Sequence, residues 1–269
     1  MKNTPWKAVA GIAAAVAFSL PAVGQTVTSA DRTQLTSFFA GTTTDSGGQI
    51  EFLTDFDNDT TFNSTLQQAG FRYQSVVGFG NIYDFCADFT LPESDTVTYS
   101  VADLSTSALN STQQDQIRNL FSNAISGFNT RFNNYLALNE GSSAYNAAYD
   151  SEYSDVQGYA GGMQVALWEI IHEQVSTLSL EVGDDGVFEA TSEAGSPNSR
   201  ASLALDYGNQ FLDSIQGIGG TTWTEQSGYS FYYADGGVSN QPRIWVVPEP
   251  ATMLLGSFGL LFLIRRRRN

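Results

Sequence analysis

The chain has 269 residues and a formal net charge of −16 at pH 7. Between residues 25 and 247, 27 acidic residues face six arginines and no lysine, so that stretch carries 6 − 27 = −21. A field of that sign argues against nucleic acid or an anionic membrane as partners and favours a soluble, self-repelling body outside the cell. At the N-terminus, Lys2 and Lys7 form a short basic region, and residues 8–20 are almost wholly apolar. Ala22-Val23-Gly24 then supplies the small residues that a signal peptidase reads, which predicts cleavage before Gln25. The apolar run is shorter than the ~20 residues of a membrane-spanning helix.

Residues 25–247 show no internal repeat and no low-complexity linker, and are expected to form one surface domain. Asp55-Phe56-Asp57-Asn58-Asp59 suggests a calcium loop, but Thr60 stands where an EF-hand needs glycine and Leu66 where it needs glutamate, so no metal site is assigned. Gly78-Phe79-Gly80 is too short for a nucleotide fingerprint, and no cofactor is expected. Cys86 is the only cysteine; it lies in an aromatic setting, Tyr83 to Phe89, too far from the cleavage site to anchor a lipid. An intermolecular disulfide or an inert buried thiol would each account for it. Residues 96–101 alternate as a strand does.

Three helices follow. Ser111 or Thr112 caps the first, whose stripe is Ile117, Leu120, Phe121, Ala124, Ile125, Phe128, Phe132, Tyr135 and Leu136. The second is expected to begin near Gly161-Gly162; Val165, Ala166, Leu167, Trp168, Ile170 and Ile171 make it apolar on most of its surface, hence central, with Trp168 buried against the first helix. The third spans about 199–215, with Gly217 as its stop. Strand-like segments lie at 186–190, 229–233 and 243–247. Strands before and after a block of helices predict an α+β fold, with helices packed on antiparallel strands.

The last 22 residues form a separate unit. Pro248-Glu249-Pro250 breaks regular structure, residues 251–264 are an apolar run of 14, and Arg265, Arg266, Arg267 and Arg268 follow. The arginines would stay cytoplasmic, making the run a transient inner-membrane stop and, in the folded protein, a lone helix standing off the body. A permanent anchor is the alternative, though the run is short even for a thin bilayer. This order of parts resembles the PEP-CTERM sorting signal. The resemblance implies a Gram-negative host that makes exopolysaccharide, and processing near Pro248-Glu249-Pro250 by an exosortase.

One pair of residues suggests chemistry. Gln164 is the one polar side chain at the expected start of an apolar helix, and burying an amide without a partner costs a few kcal/mol, roughly. Something should satisfy it or consume it. A Cys86 thiolate attacking the carboxamide would expel ammonia and leave an internal thioester, a stored electrophile for an amine or hydroxyl. The helix N-terminus is expected to stabilise the oxyanion, and aromatic neighbours to exclude water.

Gln164-Val165-Ala166-Leu167-Trp168 resembles the Gln-x-Ala-aliphatic-Trp core of bacterial surface thioester domains, and Phe85-Cys86 resembles their aromatic-Cys element. The resemblance spans about residues 75–215. It implies a mixed helical and β fold, a Cys86–Gln164 crosslink, packing roles for Phe85, Ala166 and Trp168, and covalent adhesion. Met163 departs from the family, which often has Thr there. The absence of lysine would spare an amine-reactive bond from self-reaction, although drift in an acidic secreted protein explains it equally well. His172, the sole histidine, reads as a packed or surface residue of a helix; no second histidine or nucleophile elbow accompanies it.

The reading is a non-enzymatic surface or matrix protein that attaches covalently to an amine- or hydroxyl-bearing ligand, exopolysaccharide among the candidates. A purely structural biofilm protein with no reactive bond is the alternative.

Overall fold

The computed structural model describes residues 24–39, 50–54, 60–62, 70–88, 91, 96–138, 145–173, 177–180, 188–192, 200–220 and 222–249. The expected signal peptide, the acidic loop at 55–59 and the tail beyond Glu249 lie outside them. Among the described residues, ten strands and three long helices make the fold α+β, as the order of elements predicts. The strands are β1 (Gln25–Val27), β2 (Arg32–Phe39), β3 (Ile50–Thr54), β4 (Thr60–Phe62), β5 (Gly70–Val76), β6 (Gly80–Cys86), β7 (Tyr99–Asp103), β8 (Phe188–Ser192), β9 (Tyr229–Asp235) and β10 (Arg243–Pro248). The helices are α1 (Ser111–Leu136), α2 (Tyr145–His172) and α3 (Arg200–Gln216).

Seven strands form one antiparallel sheet in the order β1-β7-β9-β10-β6-β5-β2, and β4-β3-β8 form a second. The outermost strands of the large sheet, β1 and β2, are joined by only residues 28–31. Such a link spans under ~20 Å at roughly 3.5 Å per residue. Seven flat strands at about 4.8 Å spacing would hold their edges ~29 Å apart. The sheet must therefore curl on itself. Arg32 of β2 bridges the closing gap: its guanidinium donates to the Val97 carbonyl at 3.1 Å and lies 5.0 Å from the Tyr99 ring centroid.

Curling gives the sheet two apolar faces. The inner face gathers Val76, Phe79, Ile82, Tyr99, Val101, Tyr232 and Trp245. The outer face presents Phe71, Tyr83, Phe85, Phe231, Ile244 and Val246 to the helices. Phe121 and Phe128 of α1 meet Phe85 and Phe71 at ring-centroid distances of 4.1 and 4.8 Å.

Asn110, not Ser111 or Thr112, caps α1: its side chain accepts from the Gln113 amide, and Gln113 answers with its own side chain. Helix α2 begins at Tyr145, sixteen residues before the expected start at Gly161. The two glycines taken as a helix start lie inside it, and Gly162, like the earlier Gly158, does so for a packing reason. A Cβ on Gly158 would sit 2.5 Å from Leu203 Cβ, and one on Gly162 2.6 Å from Tyr207 Cβ. These positions let α3 press against α2. The resulting helix is buried on all sides from Val156 to Ile170, as its all-round apolarity predicts. Gly217, in the left-handed region at φ 74°, ends α3 as expected.

Candidate functional site

Cys86 ends β6, and Gln164 projects from the second half of α2; neither has any exposed surface. The Gln164 Oε1 accepts from the Cys86 backbone N–H at 3.0 Å, and the Gln164 Nε2 donates to the Cys86 carbonyl at 2.7 Å. The strand register explains why that backbone is available. The Ala87 amide donates to the Pro242 carbonyl at 2.9 Å. Residues 87 and 242 are thus the hydrogen-bonded pair, and Cys86 opposite Arg243 is the non-hydrogen-bonded one. The N–H and C=O of Cys86 therefore point away from β10, toward β5. Pairing of β5 with β6 stops at Arg72 and Asp84. The carboxamide takes the place that a further residue of β5 would fill.

This geometry corrects one expectation. Gln164 is nineteen residues into α2, not at its start (164 − 145), so the N-terminus of α2 does not face the amide. The donor at the carbonyl oxygen is the Cys86 N–H. Phe85, Met163, Ala166 and Trp168 are all fully buried. Phe85 stacks on Phe71 at 4.7 Å, and Trp168 turns an edge to Phe188 of β8 at 6.4 Å. Aromatic and aliphatic side chains thus enclose the pair and keep water away.

Two features neighbour the pair, of which the first escaped the sequence reading and the second was read there only as a packed or surface residue of a helix. The first is a buried ion pair: Arg243 Nε lies 2.6 Å from Asp84 Oδ1, both side chains at most 1 % exposed. Gln74 donates to the second Asp84 oxygen, and Arg243 Nη1 donates to Gln241 Oε1 at 3.2 Å. Asp84 lies opposite Trp245, so the pair belongs to the inner face. A lone arginine heading the run Arg-Ile-Trp-Val-Val in so acidic a chain was a signal for a buried acidic partner. The second is His172, which closes α2 beside Ala87 and Asp88. Burial holds its imidazole below the ordinary 6.5, against the opposing pull of Asp88 and of a hydrogen bond to the Ala87 backbone. Gln113 reaches from α1 to the same end of α2, donating to the Ile170 and Ile171 carbonyls at 3.1 and 2.9 Å.

At the C-terminus, β10 continues through Pro248, which pairs with Tyr229. The expected boundary after Val247 thus falls inside a strand. Pro250, the apolar run and Arg265 to Arg268 lie outside the described residues. Among the described residues no helix is long and apolar enough to cross a membrane, and no acidic, histidine or cysteine cluster is suited to a metal ion.

No curated protein matches the sequence. Among solved structures, the N-terminal domain of the Streptococcus pyogenes pilus tip adhesin Cpa is similar at 11% identity and a TM-score of 0.39, covering 77% of this chain and 97% of that one. Residues 246–268 match the family model described as the PEP-CTERM protein-sorting motif. The chain therefore carries a PEP-CTERM sorting motif at its C-terminus, the mark of an exported, exosortase-processed surface protein.

Proposed function

We propose that this is a non-enzymatic surface or extracellular-matrix protein whose thioester-domain-like body forms an internal Cys86–Gln164 thioester and uses it for covalent attachment. One observation carries the reading: both polar atoms of the Gln164 carboxamide are bonded to the backbone of the one residue that bears a thiol. In the proposed reaction, Cys86 Sγ attacks the Gln164 Cδ. Negative charge gathers on Oε1, where the Cys86 N–H already donates and needs no reorganisation. The C–N bond then breaks, and the thiol proton leaves with Nε2 as ammonia. An incoming amine or alcohol attacks the thioester carbon, takes the acyl group as an amide or ester, and returns its proton to the Cys86 sulfur. Burial slows competing hydrolysis. The absence of lysine between residues 25 and 247 removes one internal competitor.

The same two hydrogen bonds also favour a second reading. They give each polar atom of a buried amide a partner, as a purely structural protein requires. Incubation with methylamine separates the two. The thioester reading expects one methylamide at Gln164 and one newly alkylatable thiol at Cys86, both lost in Cys86→Ala. Unchanged Gln164 in protein incubated with excess amine, folded and then partly denatured, would leave the structural reading standing.

A further inference from the structure

The sorting motif and the folded body overlap. The motif begins at residue 246, whereas β10 runs on to Pro248. Strand β10 is internal, with β9 on one side and β6 on the other. Val246 pairs with Phe231, Val247 with Ser230 and Pro248 with Tyr229. One residue later the Glu249 amide donates to the Gly228 carbonyl at 2.8 Å, and Ser230 Oγ donates to Glu249 Oε1 at 3.3 Å. Two of the three residues of Pro248-Glu249-Pro250 are thus held on the body.

An enzyme that cuts a peptide bond must take the residue on each side of that bond into its own cleft, unpaired from its neighbours. Freeing Val247 and Pro248 would strip an inner strand from β9. That strand also carries Arg243 and Trp245, both fully buried, so peeling it would expose a charged pair and a large ring of the core. A cut after Glu249 asks only for release of the Glu249 amide from Gly228 and of its carboxylate from Ser230, and leaves β10 in place.

We infer that the sorting enzyme cuts on the C-terminal side of Glu249, so that the mature protein keeps all of β10. The inference rests on the sorting reading and is independent of the thioester. In the cut, the peptide C–N bond breaks. The acyl carbon stays on the body and passes to water or to an amine nucleophile, and the tail leaves with a new protonated amino terminus.

The test is the C-terminal residue of the full-length protein after export from a cell that carries an exosortase, read by intact mass and by sequencing of the C-terminal peptide. The expected product ends at Glu249 or between 250 and 264, with a carboxylate or an amine adduct on its last carbonyl. A product ending at Pro248 or earlier overturns the inference while leaving exosortase processing intact. Retention of Asn269 on most molecules overturns the sorting reading itself, and the inference with it.

Discussion

Strand β6 carries two buried polar contacts two residues apart, and they differ in kind. Asp84 meets a full opposite charge, and its network draws on β5 through Gln74, on β10 through Arg243 and on the turn before β10 through Gln241. Cys86 meets a neutral amide whose two partners are atoms of Cys86 itself. A buried ion pair tolerates the loss of neither member, because the survivor is left charged in an apolar interior. A neutral amide bonded to one residue is held in register without any charge to stabilise. It can exchange its nitrogen for sulfur while Oε1 keeps its donor. The inner face of the sheet is built to stay as it is; the proposed thioester asks the junction with α2 only to hold one carbon still.

The largest expected effect separates these roles. If the crosslink forms, it closes a loop between positions 78 apart, so Cys86→Ala should lower stability by about 4 kcal/mol. Gln164→Leu should cost more, because it loses the crosslink and also the acyl oxygen to which the Cys86 N–H donates, a further ~1–3 kcal/mol. Urea denaturation measures both. A loss under ~1 kcal/mol in Cys86→Ala would speak for an uncrosslinked body, since the alanine keeps both backbone hydrogen bonds.

Arg243→Met should come next, at about 3–5 kcal/mol, because it strands Asp84 in the inner face. It should leave the Cys86–Gln164 chemistry in place in whatever fraction still folds. Loss of methylamine incorporation in folded Arg243→Met protein would show that the two contacts are one system rather than two.

The smallest effect is pH-dependent. The His172 imidazole is held below its ordinary 6.5 in the folded chain, so the unfolded chain binds the proton more readily. Its contribution is fully present above pH 6.5 and is lost as pH falls below it. His172→Gln should flatten the decline in thermal stability just below pH 6.5, relative to the unsubstituted protein. An unchanged slope would mean that the imidazole titrates normally despite its burial.

Much of this was legible in the sequence, unevenly. Helix α1 was, because a continuous apolar stripe follows a capping residue. The start of α2 was not: Gly161-Gly162 read as its beginning until the approach of Tyr207 shows Gly162 to be a packing position inside it. Strands β5 and β6 were hidden because Gln74 and Asp84 put polar side chains on an inward face, which spoils the alternation that marks a strand. At the site, the identities of Cys86 and Gln164 followed from local motifs. Their mode of contact did not, because it depends on which residues of β6 and β10 form the hydrogen-bonded pair, a matter of register set by the whole sheet.

The most direct test of the central claim is the intact mass of the purified body, unmodified and unreduced, beside its Cys86→Ala counterpart. Thioester formation predicts a mass below that of the sequence by one ammonia, with the deficit absent in Cys86→Ala. A full sequence mass in freshly purified, folded protein, with Cys86 alkylated stoichiometrically on denaturation, would contradict it.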